Sequence, residues 1–238
     1  MLKKGTVVTT ISDEYTIDQQ IGQGGNGTVY RAHNLIGQSY ALKAIDRGNT
    51  GQNKLKRFRN ELQFCQSYEH KNVIHILDSG THITQSESII FYIMPLYAMT
   101  LRDKMSSGLQ AGEILPIFFQ LLEAVKFAHQ KQVWHRDIKP ENILIGADGT
   151  IVLADFGIAH FCDEEMVTAV ETKQSERLAN ITYAAPEQRV RNMNVDGHAD
   201  VFALGLILNE LFTGFVISGT NYKTIKSVFA EYGYLDEV

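Results

Sequence analysis

The spacing of apolar and polar positions changes period once along the chain. Residues 15–21, 28–33 and 39–46 form short β-compatible runs separated by glycine-rich or polar breaks, which predicts strands. From residue 54 to about residue 69, Leu55, Phe58, Leu62 and Cys65 recur at helical spacing, which predicts a helix with a narrow apolar stripe. Two more strand-like runs follow at 74–80 and 89–94. After Pro95 the pattern is mostly helical. Residues 113–132 form a long apolar-rich stretch in which Pro116 is tolerable near the first turn, and 201–212 read as an apolar helix stopped by Gly214. Between these helices, 142–145 and 151–153 flank the turn Ala147-Asp148-Gly149 and predict a small hairpin. A strand-rich first part joined to a helical second part is an α+β layout.

Composition narrows the partners. At 238 residues the chain suits one large domain or two lobes sharing a cleft, and 44% hydrophobic with 21% charged residues is ordinary for a globular protein. A net charge of -5 argues against nucleic acid as the main partner, because a phosphate backbone wants a basic surface. Cys65 and Cys162 lack paired spacing, so we expect reduced thiols in a cytoplasmic protein. No secretory pattern opens the chain. The longest apolar run, 89–99, contains Pro95 and falls short of the roughly 20 residues a spanning helix needs, so no membrane segment is expected in this portion.

Several polar residues stand where chemistry would put them. Gly22-Gln23-Gly24-Gly25-Asn26-Gly27 with Val29 fits G-x-G-x-x-G-x-V, a pattern that lets backbone amides approach phosphates and that a glycine-rich hairpin would equally satisfy. A strand follows these glycines instead of a helix, which disfavours dinucleotide binding. Lys43 lies inside the apolar run Tyr40-Ala41-Leu42-Lys43-Ala44-Ile45 and needs an anionic partner or a route to water. Glu61 offers the partner, being about 40° beyond Cys65 around the helix, at the edge of the stripe. In His135-Arg136-Asp137-Ile138-Lys139-Pro140-Glu141-Asn142, a carboxylate and an amide five residues apart suit a proton acceptor and a metal ligand, with the Lys139 charge beside them. Asp155, ending an apolar strand in Ala154-Asp155-Phe156-Gly157, reads as a metal ligand or as part of a turn.

These motifs, in this order and at these spacings, resemble the protein kinase family over about residues 15–235, and the wording around Asp155 and Ala185-Pro186-Glu187-Gln188 is similar to its bacterial Hanks-type serine/threonine branch. The resemblance implies a two-lobed fold: an N-lobe at 1–94 of antiparallel sheet plus one helix (1–14 a leading segment), a hinge at 95–99, and a mainly helical C-lobe at 100–238. It implies ATP with magnesium (manganese as a substitute), γ-phosphoryl transfer to serine or threonine of protein substrates, and autophosphorylation within a homodimer. Asp137 then resembles the catalytic base, with Lys139, Lys43 and Glu61 as the other catalytic residues and Asn142 and Asp155 as metal ligands. Ile21, Gly22, Gly24, Gly27, Val29, Ala41, Lys43, Met94, Leu96, Tyr97 and Leu144 are the expected nucleotide contacts. The competing reading is a pseudokinase that binds nucleotide or acts as a scaffold. Against it, Lys43, Asp137 and Asp155 are all present.

The chain also departs from the family. Ala179-Asn180 stands where Gly-Thr is common, with Thr182 a nearby substitute, and Pro95 lacks a donor at the hinge. Only 24 residues follow Gly214, which leaves Glu187 without an evident partner and suggests that the final helices are absent. By the resemblance Arg136 binds a phosphate on the activation segment, with Thr168, Thr172 and Ser175 as acceptors. Lys54, Lys56, Arg57 and Arg59 read first as a solvated basic face, and second as a receiver for that phosphate.

Overall fold

The computed structural model describes residues 1–24, 27–85, 87–158, 160–161, 182–190 and 193–216. Alternation of side chains builds its first part. Strands β1 (Val7–Thr9), β2 (Glu14–Gly24), β3 (Gly27–Asn34), β4 (Ser39–Asp46), β5 (Asp78–Ile83) and β6 (Ser88–Pro95) form one antiparallel sheet in the order β1-β2-β3-β4-β6-β5. β4 is central and buried on both faces. Leu42 and Ala44 point into one apolar cluster with Tyr30, Phe91 and Ile93, while Ala41 and Ile45 point into another with Tyr92 and Met94. Lys43 shares the parity of Ala41 and Ile45, so it faces the second cluster.

Helix α1 (Gln52–Ser67) covers that second face through Leu55, Phe58, Phe64 and Cys65. Its stripe is turned from the expected one: Leu62 is half-buried, whereas Phe64 is fully buried against the Phe156 ring at 4.8 Å. Glu61 therefore lies within the stripe and not at its edge. Arg57 shares the buried side at 5% exposure, which overturns the solvated-face reading for that residue. Cys65 is buried, and burial raises its thiol pKa well above the usual value.

Strand β1 and the helix Leu101–Gly108 are among the described elements that the sequence pattern did not show. β1 belongs to the stretch expected as a leading segment; its Val8 is fully buried, and the sheet curls until β1 meets β5. Gly80 allows that approach, since a β-carbon there would stand 2.6 Å from Phe91 Cζ and 3.0 Å from the Thr9 carbonyl. Helix α2 (Leu101–Gly108) follows the short strand β7 (Met99–Thr100) and starts at a capping box, Thr100 with Asp103. The strand expected at 74–80 begins later, at Asp78. The preceding residues turn aside to pair with a different strand, the Ile74 N–H donating to the Leu153 carbonyl at 2.9 Å.

The helical part is centred on α3 (Ala111–Gln130) and α4 (His198–Thr213), packed through Leu121, Ala124, Leu204 and Ile207. α3 starts two residues earlier than expected, which places Pro116 inside the helix. Gly214 ends α4 in the left-handed region, with φ 72°, and its N–H caps the Glu210 carbonyl at 2.8 Å. Between these helices lie β8 (Val133–Trp134), a 3₁₀ turn (Pro140–Asn142), the hairpin β9 (Ile143–Ile145) with β10 (Ile151–Leu153), and β11 (His160–Phe161), which pairs with β8. Among the described residues no helix is long and apolar enough to cross a membrane.

Candidate active site

The sheet and the helical part face each other across a cavity of 390 Å³, in the usual range for small-molecule sites. Every expected nucleotide contact lines it: Ile21, Gly22, Gly24, Gly27 and Val29 from the β2–β3 hairpin, Ala41 and Lys43 from β4, Met94, Leu96 and Tyr97 from the connection, and Leu144 from β9. Gly25 and Asn26 lie outside the described residues. Gly27 holds φ 137°, and a β-carbon there would stand 2.8 Å from the Ala44 carbonyl, so only glycine fits the turn against β4. Tyr92, Thr100, Asp103 and Glu141 also line the cavity and were missed. Two signals could have found some of them: Tyr92 shares strand parity with Met94, and Thr100-x-x-Asp103 is a capping sequence.

At the back of the cavity Lys43, 6% exposed, donates to both Glu61 oxygens at 2.8 and 3.1 Å and to Asp155 Oδ1 at 3.0 Å. Burial alone would lower the lysine pKa, but Asp155 and Glu61 outweigh it and hold the ammonium well above its usual range. Glu61 is pushed up by burial and by Asp155, and pulled down by Lys43. Asp155 has φ 66°, a left-handed conformation that costs on the order of 1–3 kcal/mol in a non-glycine residue and aims the carboxylate into the cavity.

The loop after β8 is held from below. Asp200, near the start of α4 and 1% exposed, accepts from the His135 and Arg136 backbone N–H groups at 2.9 and 2.7 Å, and its Oδ2 lies 2.8 Å from His129 Nε2. The His135 ring is buried, 3.0 Å from the Ala154 carbonyl and edge-on to Phe156. Phe156 thus packs between the loop and Phe64 of α1. On top, Lys139 Nζ and Asn142 Nδ2 both donate to Asp137 Oδ2, at 2.9 and 3.0 Å, and the same amide reaches the Asp137 carbonyl at 2.8 Å. With its amide nitrogen spent on Asp137, Asn142 keeps Oδ1 as a ligand oxygen. Two oxygens, from Asn142 and Asp155, fit a hard divalent cation that takes its other ligands from phosphates and water.

We expect Asp200→Ala to orphan two buried backbone donors, costing about 1–3 kcal/mol for each. A lowered denaturation midpoint with an unchanged m-value is the expected signature. An unchanged midpoint would show that the loop is held some other way.

Residues 182–190 flank the loop. Gln188 Nε2 donates to the Arg136 carbonyl at 2.8 Å from the helical turn Pro186–Arg189, and Thr182 is half-buried just before Tyr183. The Arg136 guanidinium donates to the Val195 carbonyl. The proposed phosphate acceptors Thr168, Thr172 and Ser175, together with Asn180, Cys162 and the last residues, 217–238, lie outside the described residues.

A sheet-and-helix lobe and a helical lobe closing on a glycine-lined cavity, with a lysine–glutamate pair and a loop carboxylate, define a phosphotransferase cleft. The family model described as the protein kinase domain matches residues 15–232, and the chain belongs to that family. It is 37% identical over 210 residues to "Serine/threonine-protein kinase PrkC" of Bacillus subtilis, which covers 86% of this chain and 31% of that protein. It is 33% identical over 207 residues to "Serine/threonine-protein kinase PknF" of Mycobacterium tuberculosis, covering 84% and 43% respectively. The chain therefore spans less than half the length of these relatives.

Proposed function

We propose that this chain transfers the γ-phosphoryl group of ATP, with magnesium, to serine or threonine hydroxyls of proteins, its own second copy included. The observation that carries this is that Lys43, Asp155 and Asn142 line one cavity, with the Asn142 amide holding Asp137 beside it. Residues 1–94 serve as the nucleotide-holding lobe, 95–99 as the hinge, and 100–238 as the lobe that supplies loop and acceptor platform. The names of the similar kinases favour serine and threonine. An ATP-consuming domain of this kind belongs on the cytoplasmic side.

In this reading the hairpin glycines place backbone amides along the phosphates, and Lys43, fixed by Glu61, steadies the α- and β-phosphates. Asn142 and Asp155 hold the metal, which when bound draws negative charge from the phosphate oxygens. Asp137 orients the acceptor hydroxyl and takes its proton as the new oxygen–phosphorus bond forms and the γ-phosphorus bond to the bridging oxygen breaks. Lys139 lies next to Asp137, where its charge meets that developing on the transferred group.

Phosphoamino-acid analysis of an acceptor labelled by this chain tests the assignment. We expect phosphoserine or phosphothreonine, lost on chelation of divalent metal. Phosphotyrosine, or transfer that persists in chelator, would refute it.

A further inference from the structure

Arg102 occupies the second position of α2, where the helix dipole disfavours a cation, so its placement answers to its partners. All three guanidinium nitrogens are engaged. Nε donates to Glu141 Oε1 at 2.8 Å, one terminal nitrogen donates to Glu210, and the other to the Tyr183 hydroxyl. Tyr183 donates in turn to the second Glu210 oxygen. Tyr183 and Glu210 are buried, at 5% and 2% exposure, and Arg102 is the cation that offsets the Glu210 charge.

The three partners belong to three different elements. Glu141 sits in the 3₁₀ turn, immediately before Asn142, whose amide holds Asp137. Tyr183 stands in the segment 182–190, whose Gln188 donates to the Arg136 carbonyl of the catalytic loop. Glu210 lies ten residues after Asp200 on α4, about 15 Å further along the axis. Thus α4 carries two buried acids, one gripping the catalytic loop and the other bonded to Arg102 and Tyr183.

We propose that Arg102 is a positioning residue for the acceptor protein: it sets the register between the turn bearing Glu141 and Asn142 and the segment bearing Tyr183 and Gln188, which flanks the loop that carries Asp137. This rests on the kinase reading above. A planar fork spreads five donors over three nitrogens and so reaches acceptors on different sides, whereas a lysine gathers its three donors on one nitrogen. The nucleotide contacts do not include Arg102, so its loss should separate the two substrates.

The test uses the purified chain with magnesium ATP and dephosphorylated casein as acceptor. We expect Arg102→Met and Arg102→Lys each to raise the casein KM by about tenfold or more while the ATP KM stays within about twofold. N-methylguanidinium added to Arg102→Ala should restore the casein KM by several-fold and raise the melting temperature, with neither effect on the unaltered chain. Full recovery by lysine would mean that charge compensation alone is required, and would overturn the proposal. Equal rises in both KM values, or no response to N-methylguanidinium, would also overturn it. If the unaltered chain transfers while the variants match it, only this proposal fails. If the unaltered chain transfers nothing, the kinase reading falls and takes this proposal with it.

Discussion

Asp137→Asn should lower kcat by about a hundredfold to ten-thousandfold, the contribution expected of a positioned proton acceptor. The substitution keeps shape and volume but replaces a carboxylate by an amide, so the hydroxyl proton loses its destination. Lys139 and Asn142 both donate to Asp137 Oδ2, and an amide oxygen can still receive them. The folded loop should therefore survive, since Asp200 holds its backbone from the opposite side. Nucleotide affinity and melting temperature are expected to change little while turnover collapses. A variant that keeps more than about a tenth of the activity would remove Asp137 from the role of base.

Lys43→Met should damage both stability and turnover, and a second substitution should separate the two effects. Without the ammonium, Glu61 remains buried beside Asp155 with no cation to offset it, at a cost of about 3–5 kcal/mol and a melting temperature lower by on the order of 10 °C. Lys43→Met with Glu61→Leu replaces the buried pair by apolar groups and should recover most of that stability. Activity should stay at least about a hundredfold low in both variants, because the charge that steadies the phosphates is gone. Recovery of turnover along with stability would mean that the pair is structural only.

What the sequence made legible followed from short-range rules. The apolar run 40–45 marked Lys43 as a lysine in need of an anionic partner, and helical spacing offered Glu61, which the fold brings to it. The motif spacing from His135 to Asn142 set the carboxylate and amide that now share a hydrogen bond. The exact face of α1 was not legible, because Phe64 is drawn inward by Phe156, a residue 92 positions away that no local pattern reports. β1 escaped notice because three residues carry too little alternation to count, although their burial depends on the whole curled sheet. The cluster of Arg102, Glu210 and Tyr183 joins residues 108 and 81 positions apart, so only the assembled fold shows it.

The most direct measurement is a single turnover, with the chain in excess over γ-labelled ATP and magnesium, followed by separation of protein, nucleotide and inorganic phosphate. Label should pass from ATP to serine or threonine of protein, and should not do so with Asp137→Asn. A folded chain that holds the nucleotide but leaves the label in ATP, or releases it only as inorganic phosphate, would contradict the account.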